Sequence, residues 1–255
     1  MLKRIALFAL ALPLLSAATA RAGGKEETTV NGAIEVLAQS TTIPERCLPA
    51  GLLRDAQAVA VIPNIIKGSL IVGGRHGRGV VLVRCKDGWS NPIFVTLSGG
   101  SIGWQVGAQS TDLVLVFKTA RGVERILKGR GKLTLGADVA VAAGPVGRQA
   151  AAATDAQLKA EIFSYSRSRG LFVGASVEGD ALRIDWAGNG CYYGRRGVSP
   201  AEIVTGTGIL LPESGLRLRT QLTVQTNPPP PAVPVPVPVI VEPRPQPPVL
   251  VPRQP

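Results

Sequence analysis

One histidine, three cysteines and an aromatic content of 4% are all that this sequence of 255 residues offers of the side chains most used in catalysis and metal binding. Any Ser/His/Asp or Cys/His centre must be built on His76. That residue stands in Gly73-Gly-Arg-His-Gly-Arg-Gly, which reads as a flexible basic turn between two strands, without a nucleophile elbow nearby. An exposed turn residue or a phosphate contact is the expectation, and no catalytic residue is assigned. Cys47, Cys85 and Cys191 are too scattered for a Cys-x-x-Cys metal site. One disulfide with an odd thiol and three buried thiols are equal alternatives. Neither G-x-G-x-x-G nor G-x-x-x-x-G-K-[ST] occurs, so no nucleotide loop is supported and no cofactor or metal is expected. Asp112, Asp138, Asp155 and Asp185 are isolated, as turn and capping residues are. The scarcity of rings requires an aliphatic core.

Acids are also scarce. There are 17 Asp and Glu against 28 Lys and Arg, a formal charge of +11. With 45% hydrophobic residues the chain is far too apolar to be wholly disordered. Glycine and proline are both abundant but segregated: most glycines lie between residues 68 and 215, and most prolines beyond 227. A glycine-rich body therefore carries a proline-rich tail, which excludes a collagen-like or coiled-coil protein.

Residues 1–22 read as a secretory signal. Lys3 and Arg4 precede the apolar run Ile5–Leu15, and Ala18-Thr-Ala20 or Ala20-Arg-Ala22 offers a small-x-small cleavage site. The run is too short to span a bilayer as a helix. Cleavage after Ala22 removes Lys3, Arg4 and Arg21 and no acid, leaving +8 of the +11. The expected location is periplasmic or extracellular. Residues 227–255, with four consecutive prolines and then Val-Pro alternation, favour polyproline II and read as a stiff spacer. The body is residues 23–226.

Within the body, Val30, Ile34 and Leu37 recur at helical spacing, and Pro49 opens a second short helix. From residue 58 the period changes. Ala58–Ile62, Leu70–Gly73, Val80–Arg84, Ile93–Leu97, Ile102–Val106 and Leu113–Phe117 are short apolar or alternating runs, as strands are. Residues 88–111 lack any charge, but five glycines and sheet-like alternation argue against a membrane span. A helix is expected over Ala120–Lys128. Further strands are expected over Lys132–Ala142, Ala160–Ser166, Leu171–Glu178 and Ala181–Trp186. Ser199-Pro-Ala-Glu carries the signature of a capped helix start. Strands do not alternate with long helices, so a doubly wound sheet is not expected. The fold class is α+β: a strongly curved, mainly antiparallel sheet or barrel rich in glycine turns, with short helices at its ends.

The informative charge is basic. Lys118, Arg121, Arg125, Lys128, Arg130 and Lys132 are opposed by Glu124 alone between residues 118 and 132. Arg121, Arg125 and Lys128 share one helix face, opposite Val123, Ile126 and Leu127. Arg75 with Arg78, and Arg167 with Arg169, form smaller clusters. An anionic lipid or membrane surface attracts such segments by about 1 kcal/mol per cation. Nucleic acid is not an expected partner, because export removes it and no basic-aromatic interleaving is present. Candidate lipid-binding residues are Arg75, Arg78, Lys118, Arg121, Arg125, Lys128, Arg167 and Arg169. The alternative is a structural protein of the cell envelope, tethered to a partner through its proline-rich tail.

Several long motifs carry a family resemblance. They are Ala58-Val-Ala-Val-Ile-Pro63, Gly73-Gly-Arg-His-Gly-Arg-Gly-Val-Val-Leu-Val-Arg84 and Trp89-Ser-Asn-Pro-Ile-Phe94, then Gly100-Ser-Ile-Gly-Trp-Gln-Val-Gly107 with its continuation to Val114. Leu135–Arg148, Tyr165–Gly174 and Tyr192-Tyr-Gly194 complete the set. In this order, from about Ala33 to Gly206, the chain resembles the SYLF domain. The resemblance implies lipid binding as a class, with the lipid left open. Eukaryotic members are implicated in phosphoinositide and actin binding and carry SH3 or FYVE modules, which this sequence lacks.

Overall fold

The computed structural model describes residues 24–40, 48–69, 72–102, 107–128, 131–145, 159–168 and 171–227. Residues 1–22, expected as a secretory signal, residues 228–255, Cys47, Arg130, Arg169 and residues 103–106 of an expected strand lie outside the described residues. Helices α1 (Gly24–Gln39) and α2 (Ala50–Asp55) lead into strands β1 (Ala58–Ser69), β2 (Val72–Cys85), β3 (Gly88–Trp89), β4 (Ile93–Ile102) and β5 (Gly107–Phe117). Next come α3 (Ala120–Lys128), β6 (Lys132–Thr134), β7 (Val141–Ala143), β8 (Ile162–Ser168), β9 (Leu171–Gly174) and β10 (Ala181–Ile184). Helices α4 (Trp186–Tyr192), α5 (Pro200–Thr205) and α6 (Glu213–Thr226) follow.

The sheet runs β6-β10-β4-β2-β1-β5-β8-β7, with β3 paired to β2 and β9 to β8. Among the described residues, every strand pair is antiparallel except β7 with β8. The sheet curls into a half-barrel of 242°. Part of the bend is local. Register on both sides of β1 slips between Val61 and Ile66, around Pro63 and Asn64. Asn64 takes the left-handed φ of 51°, and its N–H donates to Asp112 Oδ1 at 2.9 Å. Such a bulge sharpens the local twist.

The glycine-rich segment is not a turn. Strand β2 runs unbroken through Gly73–Gly79, paired with β1 on one side and β4 on the other. The reason is close approach. A Cβ on Gly79 would stand 2.3 Å from the carbonyl oxygen of Val61 at the edge of the bulge, so only glycine fits there. His76 is therefore an exposed mid-strand residue, opposite Ile66 and Ser98.

Three further boundaries differ from expectation. The strand expected over Lys132–Ala142 breaks at Gly136 (φ 87°), where Asp138 accepts from the Thr134 N–H at 2.7 Å. The strand expected to end at Glu178 stops at Gly174, and Trp186 opens a helix because Asp185 caps it by accepting from Gly188 N. The capping box of α5 is as the sequence indicates, with Ser199 as N-cap, Pro200 next and Glu202 reaching back. The uncharged stretch 88–111 forms strands, and no helix among the described residues is long and apolar enough to cross a membrane.

One face of the sheet carries α1 and α4. Arg78 on β2 reaches both Glu26 on α1 and Asp185 at the start of α4. Asn189 of α4, fully buried, accepts from Phe94 N at 2.8 Å and stitches that helix to β4. Tyr192 stacks on Phe94 at 4.9 Å, the centre of a small aromatic cluster. The opposite face holds aliphatic side chains such as Val81, Val95, Leu97, Leu115 and Leu182, all buried.

Candidate functional site

The basic residues separate into two kinds. Arg75, Arg78 and Arg167 are held by acids that are themselves nearly buried. Arg75 Nε donates to Asp180 at 2.8 Å, and its Nη1 donates to the Ser176 carbonyl at 3.2 Å. Arg78 Nη2 lies 2.5 Å from Asp185 and 3.0 Å from Glu26. Burial pulls the Arg78 pKa down, but the hydrogen bonds and charges of Asp185 and Glu26 outweigh it and raise it. Arg167 lies 2.5 Å from Asp112 with 12% of its side chain exposed, and it also donates to Gln39. These three tie distant parts of the chain together.

The α3 cations are different. Arg121 is 68% exposed and stands 3.9 Å from Glu161. Lys128 is 75% exposed, 3.4 Å from Glu124, and Arg125 is 41% exposed, 3.4 Å from Asp138. Val123 and Ile126 turn inward, and Gly122 packs against the Phe117 ring, so the charged face points outward. Exposed pairs of this kind contribute little and exchange partners readily. Lys118 sits beside this face with Nζ 4.9 Å from the centre of the Phe163 ring.

The structure adds residues that sequence reasoning did not single out. Exposed Arg183 on β10 lies directly opposite Lys132 on β6. Lys132 acts by its charge on Asp138, the carboxylate that Arg125 of α3 meets. The Thr134 N–H first, then the charges of Arg125 and Lys132, hold the Asp138 carboxyl below its ordinary value. Past Arg183, Trp186 is 52% exposed, and its indole lies 3.7 Å from where a Cβ on Gly131 would stand. Lys132 and Arg183 thus extend the exposed cations beyond α3 to the β6–β10 edge, with Arg183 on the sheet face that also carries Arg78. An exposed indole beside cations suits a boundary between water and an apolar phase. Only the cross-strand pairing reveals Arg183, and only the cap at Asp185 frees Trp186 from the strand.

Residues 98–223 match the family model described as Ysc84, Las17-binding protein actin regulator. This segment belongs to the Ysc84/SYLF family. The chain is 39% identical over 153 residues to the LAS seventeen-binding protein 3 of Saccharomyces cerevisiae, covering 59% of this chain and 33% of the relative. It is 35% identical over 180 residues to the SH3 domain-containing YSC84-like protein 1 of Xenopus laevis, covering 68% and 53%. The human protein of the same name is 38% identical over 140 residues, covering 54% and 40%. The chain therefore spans about a third to a half of the relatives it matches. No solved structure matches it. These SYLF relatives carry the names of binding proteins rather than enzymes.

Proposed function

We propose that this protein is a non-catalytic, exported lipid-binding protein that docks on anionic membrane surfaces through α3 and the β6–β10 edge. The observation that carries the proposal is the contrast in pairing. Arg121, Arg125 and Lys128 are exposed and loosely paired, whereas Arg75, Arg78 and Arg167 are committed to nearly buried carboxylates. Exposed, loosely paired cations on one outward face give a headgroup layer something to attract at about 1 kcal/mol each. Trp186 at the edge adds an interfacial anchor. Flotation with anionic and neutral vesicles over a range of salt tests the reading. Binding should require anionic lipid and weaken as salt screens the charges. Equal binding to neutral vesicles at all salt concentrations would falsify it.

A second reading, a protein-binding module, is favoured by the names of the relatives, which record Las17 binding and SH3 domains for those proteins. In that reading the proline-rich tail holds an envelope partner. Loss of partner capture on deleting residues 228–255, with vesicle binding unchanged, supports it.

A further inference from the structure

A small cavity opens at the end of the sheet away from α3. It measures about 250 Å³, and its walls come from β1, β2, β4, β5 and β8 together with residues 175–177. Five strands at roughly 4.8 Å spacing span about 19 Å across a flat sheet. They can share so small a space only on the concave side of the half-barrel. The connection from β9 to β10 crosses this side, since Arg75 reaches both the Ser176 carbonyl and the Asp180 carboxylate. The floor is apolar and buried: Ile65, Leu97, Leu113 and Val177.

The rim is cationic. Lys67 on β1 and Arg75 on β2 are direct cross-strand partners, and both line the cavity. The next residues in this row are Gln109 on β5 and Gly99 on β4, so the row contains no acid. Like charges placed directly opposite each other on a sheet destabilise it. Asp180 answers one of them, at 2.7 Å from Arg75. Lys67 has no ion-pair partner among the described residues. Thr111, Ser166 and Ser176 also line the space, and among the described residues their hydroxyls have no hydrogen-bond partner. Lys67, without an ion-pair partner among the described residues, and Arg75, whose charge Asp180 offsets, converge with three hydroxyls over an apolar floor.

We propose that this cavity binds a phosphate monoester carrying a short apolar group, with its phosphate between Lys67 and Arg75 and its apolar part on Ile65, Leu97 and Leu113. A phosphate monoester presents three strong acceptor oxygens and close to two negative charges. That matches this number of donors better than a carboxylate, which has two oxygens. The volume lies just below the roughly 300–1,000 Å³ of drug-sized sites. It holds a head group with a short chain, not a whole lipid. The site is separate from the α3 face: Leu113 and Phe117, which lie at the cavity and under α3, are about 13 Å apart along β5.

The test titrates the full chain with hexyl phosphate, inorganic phosphate and 1-hexanol, and floats it with phosphatidylcholine vesicles with or without phosphatidic acid. The variants are Lys67→Glu and the triple Arg121→Gln/Arg125→Gln/Lys128→Gln. Hexyl phosphate should bind at least tenfold more tightly than either fragment. Lys67→Glu should weaken it at least tenfold without lowering the melting temperature, because that change puts an acid opposite Arg75. The triple variant should bind it like the parent. If only phosphatidic acid vesicles bind, and Lys67→Glu alone abolishes that, the phosphate monoester is a lipid head group rather than a free metabolite. The proposal is overturned if hexanol binds as tightly as hexyl phosphate, or if Lys67→Glu changes neither titration nor flotation. Loss of vesicle binding in the triple variant alone supports the α3 face and overturns the cavity as the lipid contact.

Discussion

The carboxylate of Asp180 occupies the place where a side chain at Gly99 would begin, since a Cβ on Gly99 would stand 1.6 Å from Asp180 Oδ1. Asp180 is fully buried, and burial pushes its carboxyl up, while the charge and hydrogen bond of Arg75 pull it back down. Gly99→Ala must therefore evict a buried carboxylate from its only ion pair among the described residues. Breaking a buried pair costs about 3–5 kcal/mol. The expected result is a melting temperature lowered by roughly 6 °C or more. Thermal unfolding followed by circular dichroism checks this, with Gly100→Ala as control, where nothing lies within 4 Å.

The cap of α5 gives a pH-dependent prediction. The Glu202 carboxyl is held at about 2 by the Ser199 N–H first, then by the Ser199 hydroxyl and by Arg195. A carboxyl depressed in the folded state stabilises fully above its ordinary value of 4.5 and loses that contribution as pH falls toward about 2. Glu202→Gln should be less stable than the parent near neutrality, with the gap closing in denaturant melts at about pH 3. Ser199→Ala should cost about 1 kcal/mol at neutral pH.

Cys85 and Cys191 are free thiols in different settings. Burial first, then the charge of Asp87, pushes the Cys85 thiol up, whereas Cys191 is exposed on the surface next to Trp186. Thiolate is the reactive form. Maleimide labelling followed by mass spectrometry should modify Cys191 at least tenfold faster than Cys85. Equal rates would show that the partly buried Cys85 thiol becomes exposed readily.

What could be read from the sequence is what depends on neighbours. Ser199, Pro200 and Glu202 lie within four residues of each other, so their cap was legible, as was the sheet alternation in the uncharged stretch 88–111. The resemblance to the SYLF family was carried by contiguous motifs. Partners far along the chain were not legible. Arg75 meets Asp180 and Arg78 meets Asp185 across separations of 105 and 107 residues, and no local pattern signals either. Gly73–Gly79 illustrates the same limit. Composition does not distinguish glycines that make a turn from glycines that let β1 side chains cross β2. Helix α4 was hidden because its sequence, Trp-Ala-Gly-Asn-Gly-Cys-Tyr, is a poor helix former. It is held by the Asp185 cap and by Asn189 bound to β4.

The two kinds of cation make opposite predictions for stability and vesicle affinity. Arg78 answers two carboxylates with side-chain exposures of 8% and 12%. Charge-assisted hydrogen bonds of this kind are worth about 1.5–3 kcal/mol. Arg78→Gln should therefore lower stability by roughly 2 kcal/mol while leaving the α3 surface intact. Arg121, Arg125 and Lys128 meet Glu161, Asp138 and Glu124 only loosely, so replacing all three with glutamine should change stability by less than about 1 kcal/mol. On an anionic vesicle the same three cations are worth up to about 3 kcal/mol, roughly a hundredfold in affinity. The acids left behind on that face add repulsion from the membrane. Flotation and thermal melts on both variants separate the two roles. If Arg78→Gln loses vesicle binding at a temperature where it remains folded, and the triple variant keeps it, the membrane is met by the α1–α4 face, and the assignment to α3 is wrong.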